Sequence, residues 1–97
     1  MMTLIHYVPS TRCEVEMSGA LDGIRVLDLS TLVQGPQAAA MLHGLGAEVI
    51  KIELPEIGDM GRHVGVLEEL GTSAFWEACN RGKRSVTLDL RTEAGHE

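Results

Sequence analysis

Hydrophobic and polar positions change period twice between Leu21 and Glu53. Ile24 to Leu29, IRVLDL, is a short, mostly apolar run rich in branched residues, the pattern of a strand buried on both faces of a parallel sheet. Gly35-Pro36 then punctuates the chain. Pro36 suits the first helical position, where its fixed φ matches the helix and its missing N–H is no loss. Gln37 to Leu45 is Ala-rich and carries Met41, Leu42 and Leu45 at helical spacing, with Gly44 and Gly46 offering a left-handed stop. Glu48 to Glu53, EVIKIE, alternates polar and apolar side chains, which predicts a second strand with part of one face wetter than the first. Strand, turn, helix and strand together make one parallel crossover.

On either side of this unit the pattern weakens. Residues 1–20 hold no period of 2 or 3.6 and include Pro9, so they read as a disordered or appended segment. Met17 would serve as an alternative start, and Met2 to Val8 as a short edge strand. After Glu53, LPEIGDMGRHVGVLEELG is too dense in glycine for a long helix and reads as a loop, with one helical turn at Val66 to Leu70. Thr72 or Ser73 caps a short helix through Cys79. Val86 to Leu90, VTLDL, is the next strand, and Thr92 caps a further helix. The class expected is α/β, a parallel sheet with crossover helices. Because a parallel sheet needs cover on both faces, residues 21–97 are expected to be an incomplete piece of a larger domain.

Composition narrows the function. Net charge is −6 with a pI near 5.1, which argues against a nucleic-acid surface and fits a soluble cytoplasmic protein. Cys13 and Cys79 form neither a metal-ligand spacing nor a disulfide framework, so reduced thiols are expected. No apolar run approaches the roughly 20 residues of a membrane span, and no secretory signal pattern opens the chain. His43, His63 and His96 are scattered, and no metal is expected; His43 reads as helix surface or as a satisfied partner.

The turn Ser30 to Pro36 sits beyond the carboxyl end of the first strand, where open parallel sheets place ligands. Its amides lie near a helix N-terminus and suit a phosphate or a thioester oxygen. It is neither a G-x-G-x-x-G fingerprint nor a P-loop, and on this pattern alone a routine strand-to-helix turn is the leading reading. Asn80 to Ser85, NRGKRS, gathers Arg81, Lys83 and Arg84; on charge alone it reads as a solvated basic turn. Arg91 follows a strand at its carboxyl end and is better placed for a ligand. Asp59 and Arg62 are expected to pair and shape their loop. Asp28, inside an apolar strand, is expected to be hydrogen-bonded in place. Phe75-Trp76 reads as core or interface packing.

LDGIRVLDLS, GP, LGAEVIKIE, GDMGR and NRGKRSVTLDLRTEAG, in this order and spacing, resemble the start of the family III CoA-transferases, a group that includes formyl-CoA transferase, carnitine CoA-transferase and α-methylacyl-CoA racemase. The likeness runs from Leu21 to the end. It implies a Rossmann-like large domain, a smaller second domain, and two chains interlocked as a homodimer. It also implies an acyl-CoA donor and a carboxylic-acid acceptor, with coenzyme A as substrate and no tightly bound cofactor. The resemblance places the nucleophilic aspartate beyond Glu97, so no catalytic residue is expected in this chain. The segment matching Leu32, Val33 and Gln34 would line the acyl-CoA site; the family's usual glutamine falls at Val33, and here Gln34 stands one place later. The strand ending IKIE is commonly followed by a phosphate-binding arginine, where this chain has Leu54. Leu88 would pack on the adenine and Arg91 would reach phosphate. A transferase is favoured over a racemase, and a truncated, catalytically silent polypeptide that binds CoA or a partner is the reading from outside enzymology.

Overall fold

In the computed structural model residues 19–97 are described, and the expectations for the segment before Gly19 lie outside them. The crossover forms as its pattern predicts: β1 (Arg25–Asp28), α1 (Gln34–Gly44), β2 (Glu48–Glu53). β1 and β2 pair in parallel, with Val26 opposite Val49 and Asp28 opposite Lys51. A 3-10 turn, Met60–His63, leads into a hairpin of two-residue strands, β3 (Val66–Leu67) and β4 (Thr72–Ser73). Then α2 (Ala74–Asn80) returns the chain to β5 (Arg84–Thr87), which pairs in parallel with β2, and α3 (Glu93–His96) follows. The sheet order β1-β2-β5 and its crossover helices make this a partial Rossmann-like α/β fold. Among the described residues no helix is long and apolar enough to cross a membrane.

Both helix caps agree with the sequence. Ser73 accepts the Trp76 N–H, and Thr92 accepts the Gly95 N–H. Four boundaries or faces differ. Helix α1 begins at Gln34, so Pro36 is its third residue, still within the turn whose N–H groups have no helical partner. Val66 to Leu70 is not helical: Gly65 and Gly71 take positive φ and turn the segment into the hairpin. Strand β5 starts two residues before Val86, and Leu88 extends its ladder by donating to the Glu53 carbonyl.

The fourth difference concerns the sheet faces. Ala39 of α1 packs on Ala47 and Val49, joined by Leu21, Val26 and Leu42, and this is the hydrophobic core. Strand β2 therefore turns Val49, Lys51 and Glu53 inward, all buried, and leaves Ile50 and Ile52 on the opposite face. Two of the three polar positions of EVIKIE, Lys51 and Glu53, are covered, and Glu48 lies on the outer face with Ile50 and Ile52. Strand β1, expected to be buried on both faces, is covered on one only, and Leu27 is 59% exposed.

Candidate functional site

Charges on the covered face pair with one another. Asp28, at the end of β1, receives the Ser30 N–H at 3.0 Å and the Ser30 hydroxyl. Its other oxygen meets Lys83 Nζ at 2.7 Å and Lys51 Nζ at 3.4 Å. Lys51 also donates to the Ser30 carbonyl at 2.7 Å and faces Asp59 Oδ2 at 2.6 Å. That last contact is an ion pair without hydrogen-bond alignment. Lys83 donates further to the Pro36 carbonyl at 2.7 Å and Asn80 Oδ1 at 2.9 Å. All four charged side chains are at most 2% exposed. Two ammonium groups face two carboxylates and each ammonium has three oxygen partners, the condition under which buried charge is tolerable.

Burial raises both aspartates, but their partners outweigh it: Lys83 and Ser30 hold Asp28 below the ordinary carboxylate range, and the Lys51 ammonium with the Gly61 and Leu32 N–H groups does so for Asp59. Burial likewise pulls Lys83 below the usual lysine range, against its pairing with Asp28. Beside this cluster Arg62 grips Glu53 with two hydrogen bonds of 2.7 and 2.8 Å. Ser85 adds a third at 2.6 Å, and Glu53 is lowered to about 2, chiefly by Arg62. The Arg62 guanidinium lies 3.6 Å from the centre of the Trp76 ring. The expected Asp59–Arg62 pair is thus replaced by Asp59–Lys51 and Glu53–Arg62. NRGKRS is not simply a solvated turn, since Lys83 is buried and Arg84 pairs with Glu48. Trp76 is half-buried under Arg62, while Phe75 remains 50% exposed.

This cluster supports the segment between β1 and α1. Lys51 holds the Ser30 carbonyl, Lys83 the Pro36 carbonyl, and Asp59 the Leu32 N–H at 2.9 Å. Leu32 takes φ 68°, a strained value for a side chain of its size. No side chain caps α1 at Val33, so its first N–H groups stay available to an anion. Next to the turn, at the carboxyl ends of the three parallel strands, lies a cleft of about 200 Å³. Leu29, Ile52, Leu54, Leu88 and Leu90 give it apolar walls, and Arg91 supplies the cation. Arg91 is held in a two-pronged pair with Asp89, both contacts 2.8 Å, which lowers Asp89 to about 2.

Of the residues singled out from sequence, Leu88 and Arg91 line this cleft, together with Ser30 and Thr31 of the turn. Leu32 and Val33 are exposed on the same turn without lining the cleft, and Gln34 is the first residue of α1. Asp28 is hydrogen-bonded in place as expected, and His43 is satisfied by the Ala47 carbonyl at 3.1 Å. Sequence reasoning passed over Lys51 and the part played by Asp59, and named Lys83 without foreseeing its burial against Asp28. A signal existed: Lys51 and Glu53 share the parity of Val49 in β2. Among the described residues, no group of three or more His, Cys, Asp or Glu is placed to hold a metal ion.

Comparison with known proteins gives a consistent result. The profile of CoA-transferase family III matches residues 21–97. Formyl-CoA:oxalate CoA-transferase of Rhodopseudomonas palustris is 41% identical over 83 residues, covering 84% of this chain and 19% of that protein. Succinate–glutarate CoA-transferase of Agrobacterium fabrum is 44% identical over 81 residues, covering 77% and 20%. Among solved structures, a hypothetical protein of Mycobacterium tuberculosis superposes with TM-score 0.72 at 43% identity, covering 81% of this chain and 21% of that one. A CAIB/BAIF family protein of Brucella suis gives 0.70 at 45%, covering 80% and 21%. The chain spans about a fifth of the length of the curated relatives it matches.

Proposed function

The chain belongs to CoA-transferase family III, and from that premise we propose that it is the acyl-CoA-holding part of an acyl-CoA:carboxylate CoA-transferase. The observation that carries the reading is the cleft at the carboxyl ends of β1, β2 and β5, with Leu88 and Arg91 on its wall beside the supported turn. Leu88 packs on the adenine and Arg91 turns from Asp89 towards phosphate. The thioester end runs to the wall formed by Leu32, Val33 and Gln34 and to the uncapped start of α1.

The chemistry proposed for the whole enzyme uses an aspartate outside these residues. Its carboxylate attacks the thioester carbonyl, CoA thiolate leaves, and a mixed anhydride forms. The thiolate then attacks the enzyme's carbonyl of that anhydride, releasing the donor acid and leaving CoA on the enzyme as a thioester. An acceptor carboxylate reverses the two steps. We place this enzyme in the cytoplasm as a homodimer.

Calorimetric titration of the chain with coenzyme A tests the reading. Wild type is expected to bind CoA more tightly than adenosine, and Arg91→Ala is expected to remove that difference. Equal affinity for the two ligands in wild type overturns it. The chain alone is expected to turn over no acyl-CoA, and transfer of CoA between acids by the 97-residue chain overturns the placement of the nucleophile.

A further inference from the structure

Leu32 holds a left-handed conformation, φ 68°, that residues other than glycine rarely adopt. Something outside the turn must hold it there. Its N–H donates to Asp59 Oδ1 at 2.9 Å, across 27 residues of chain. The same oxygen takes the Gly61 N–H at 2.7 Å, and the other oxygen faces Lys51 at 2.6 Å. Lys51 in turn holds the Ser30 carbonyl at 2.7 Å, so one ion pair grips the turn by a carbonyl and by an amide two residues later. The two segments approach closely: a Cβ on Gly61 would lie 3.3 Å from the Leu32 carbonyl oxygen and 3.2 Å from Asp59 Oδ1. The Asp59 carboxylate is 1% exposed. Around it stand Lys51 and Glu53 on β2, Arg62 on the 3-10 turn, and Asp28 on the far side of Lys51.

We propose that Asp59 is the positioning residue of the acyl-CoA wall: it holds Leu32 left-handed and thereby aims Leu32, Val33 and Gln34 at the thioester. The inference rests on the CoA-binding reading for its consequence, and on the Asp59–Leu32 contact for its cause. Asp59 acts through the backbone of Leu32. An asparagine at this position retains the oxygen that accepts both N–H groups but turns an amide NH2 to the Lys51 ammonium in place of the second carboxylate oxygen, whereas alanine loses both the acceptor and the ion pair.

The first test needs no ligand. In 15N–1H spectra of the chain, the amide protons of Leu32 and Gly61 are expected to shift together in one acid-side step, and Asp59→Asn to abolish that step in both. Independent behaviour of the two amides overturns the proposal. The second test titrates coenzyme A. Asp59→Asn keeps most of the affinity, and Asp59→Ala loses about tenfold, ~1.4 kcal/mol. Adding Leu32→Gly to Asp59→Ala recovers most of the loss, because glycine enters the left-handed region freely, and adding Leu32→Ala does not. A carboxylate serving stability alone leaves glycine and alanine at position 32 equal, which overturns the proposal. Should Asp59→Ala fail to fold, the single variants decide: a higher urea midpoint for Leu32→Gly than for Leu32→Ala supports the held left-handed turn, and the reverse order sinks it. If wild type binds no coenzyme A, the CoA-binding reading fails, while the paired amide step still decides whether Asp59 holds Leu32.

Discussion

Lys83 shows how a charged side chain can lie inside so thin a core. Its ammonium group has three N–H bonds to place, and Asp28, the Pro36 carbonyl and Asn80 accept one each. The arrangement makes the interior sensitive to the loss of one partner and tolerant of the loss of two. Lys83→Met leaves Asp28, beside its two Ser30 hydrogen bonds, with Lys51 at 3.4 Å as its one counter-charge, and is expected to cost roughly 3–5 kcal/mol. Asp28→Asn leaves Lys83 without its counter-charge and is expected to cost a similar amount. The double variant removes one charge of each sign and is expected to lose far less than the sum. Urea unfolding of the four proteins measures the difference, and additive losses contradict a coupled pair.

At the level of elements, the loop after β2 is fastened by Glu53. Two bonds from Arg62, one from Ser85 and the Asp59 N–H converge on its carboxylate. Because the folded value, about 2, lies below the ordinary 4.5, the folded protein holds the charged form more strongly than the unfolded chain does. The stabilisation is therefore complete above about 4.5 and is lost as pH falls towards 2. Allowing for the solvent that reaches Arg62, it is expected to amount to on the order of 2 kcal/mol. Asp28 and Asp59 are also lowered, so they steepen the decline in the same direction. Glu53→Gln is expected to lower stability at neutral pH and flatten the acid decline; a decline as steep as that of wild type refutes the assignment.

The same elements show what was legible in the sequence. The crossover and both caps follow from local rules, since periodicity, Ser73 and Thr92 act within a few residues. The inward placing of Lys51 and Glu53 was marked only by their parity with Val49; the partners that make it tolerable to bury them were not legible, because they come from other segments and periodicity carries no pairing information. The loop's glycines announced turns without saying that Gly65 and Gly71 would close a hairpin. Arg91 could be placed at the cleft because it was read as following a strand directly, and Leu88 through the family resemblance, whereas the link from Asp59 to Leu32 spans 27 residues.

For the molecule as a whole, the inverted pattern of β2 has a cost on the other side of the sheet. With Lys51 and Glu53 turned towards the helices, Ile50 and Ile52 turn away from them. Leu27 is 59% exposed, Leu29 55% and Val86 44%, beside the partly buried Ile50 and Ile52. Register makes these residues neighbours, since Leu27 stands opposite Ile50 and Ile52 opposite Val86. A contiguous apolar face of this kind is uncommon on a soluble monomer. The 97-residue chain is therefore expected to bind a hydrophobic dye strongly and to associate as its concentration rises. Leu27→Ser combined with Val86→Ser should weaken both effects. Its urea midpoint should change little, because neither side chain belongs to the cluster around Ala39 and Val49. Sedimentation velocity over a concentration series, with dye fluorescence on the same samples, reads the outcome. A wild-type chain that stays monomeric and dark at every concentration shows that the face is covered in solution, and a large fall in the midpoint of the double variant places Leu27 and Val86 in the folded core instead.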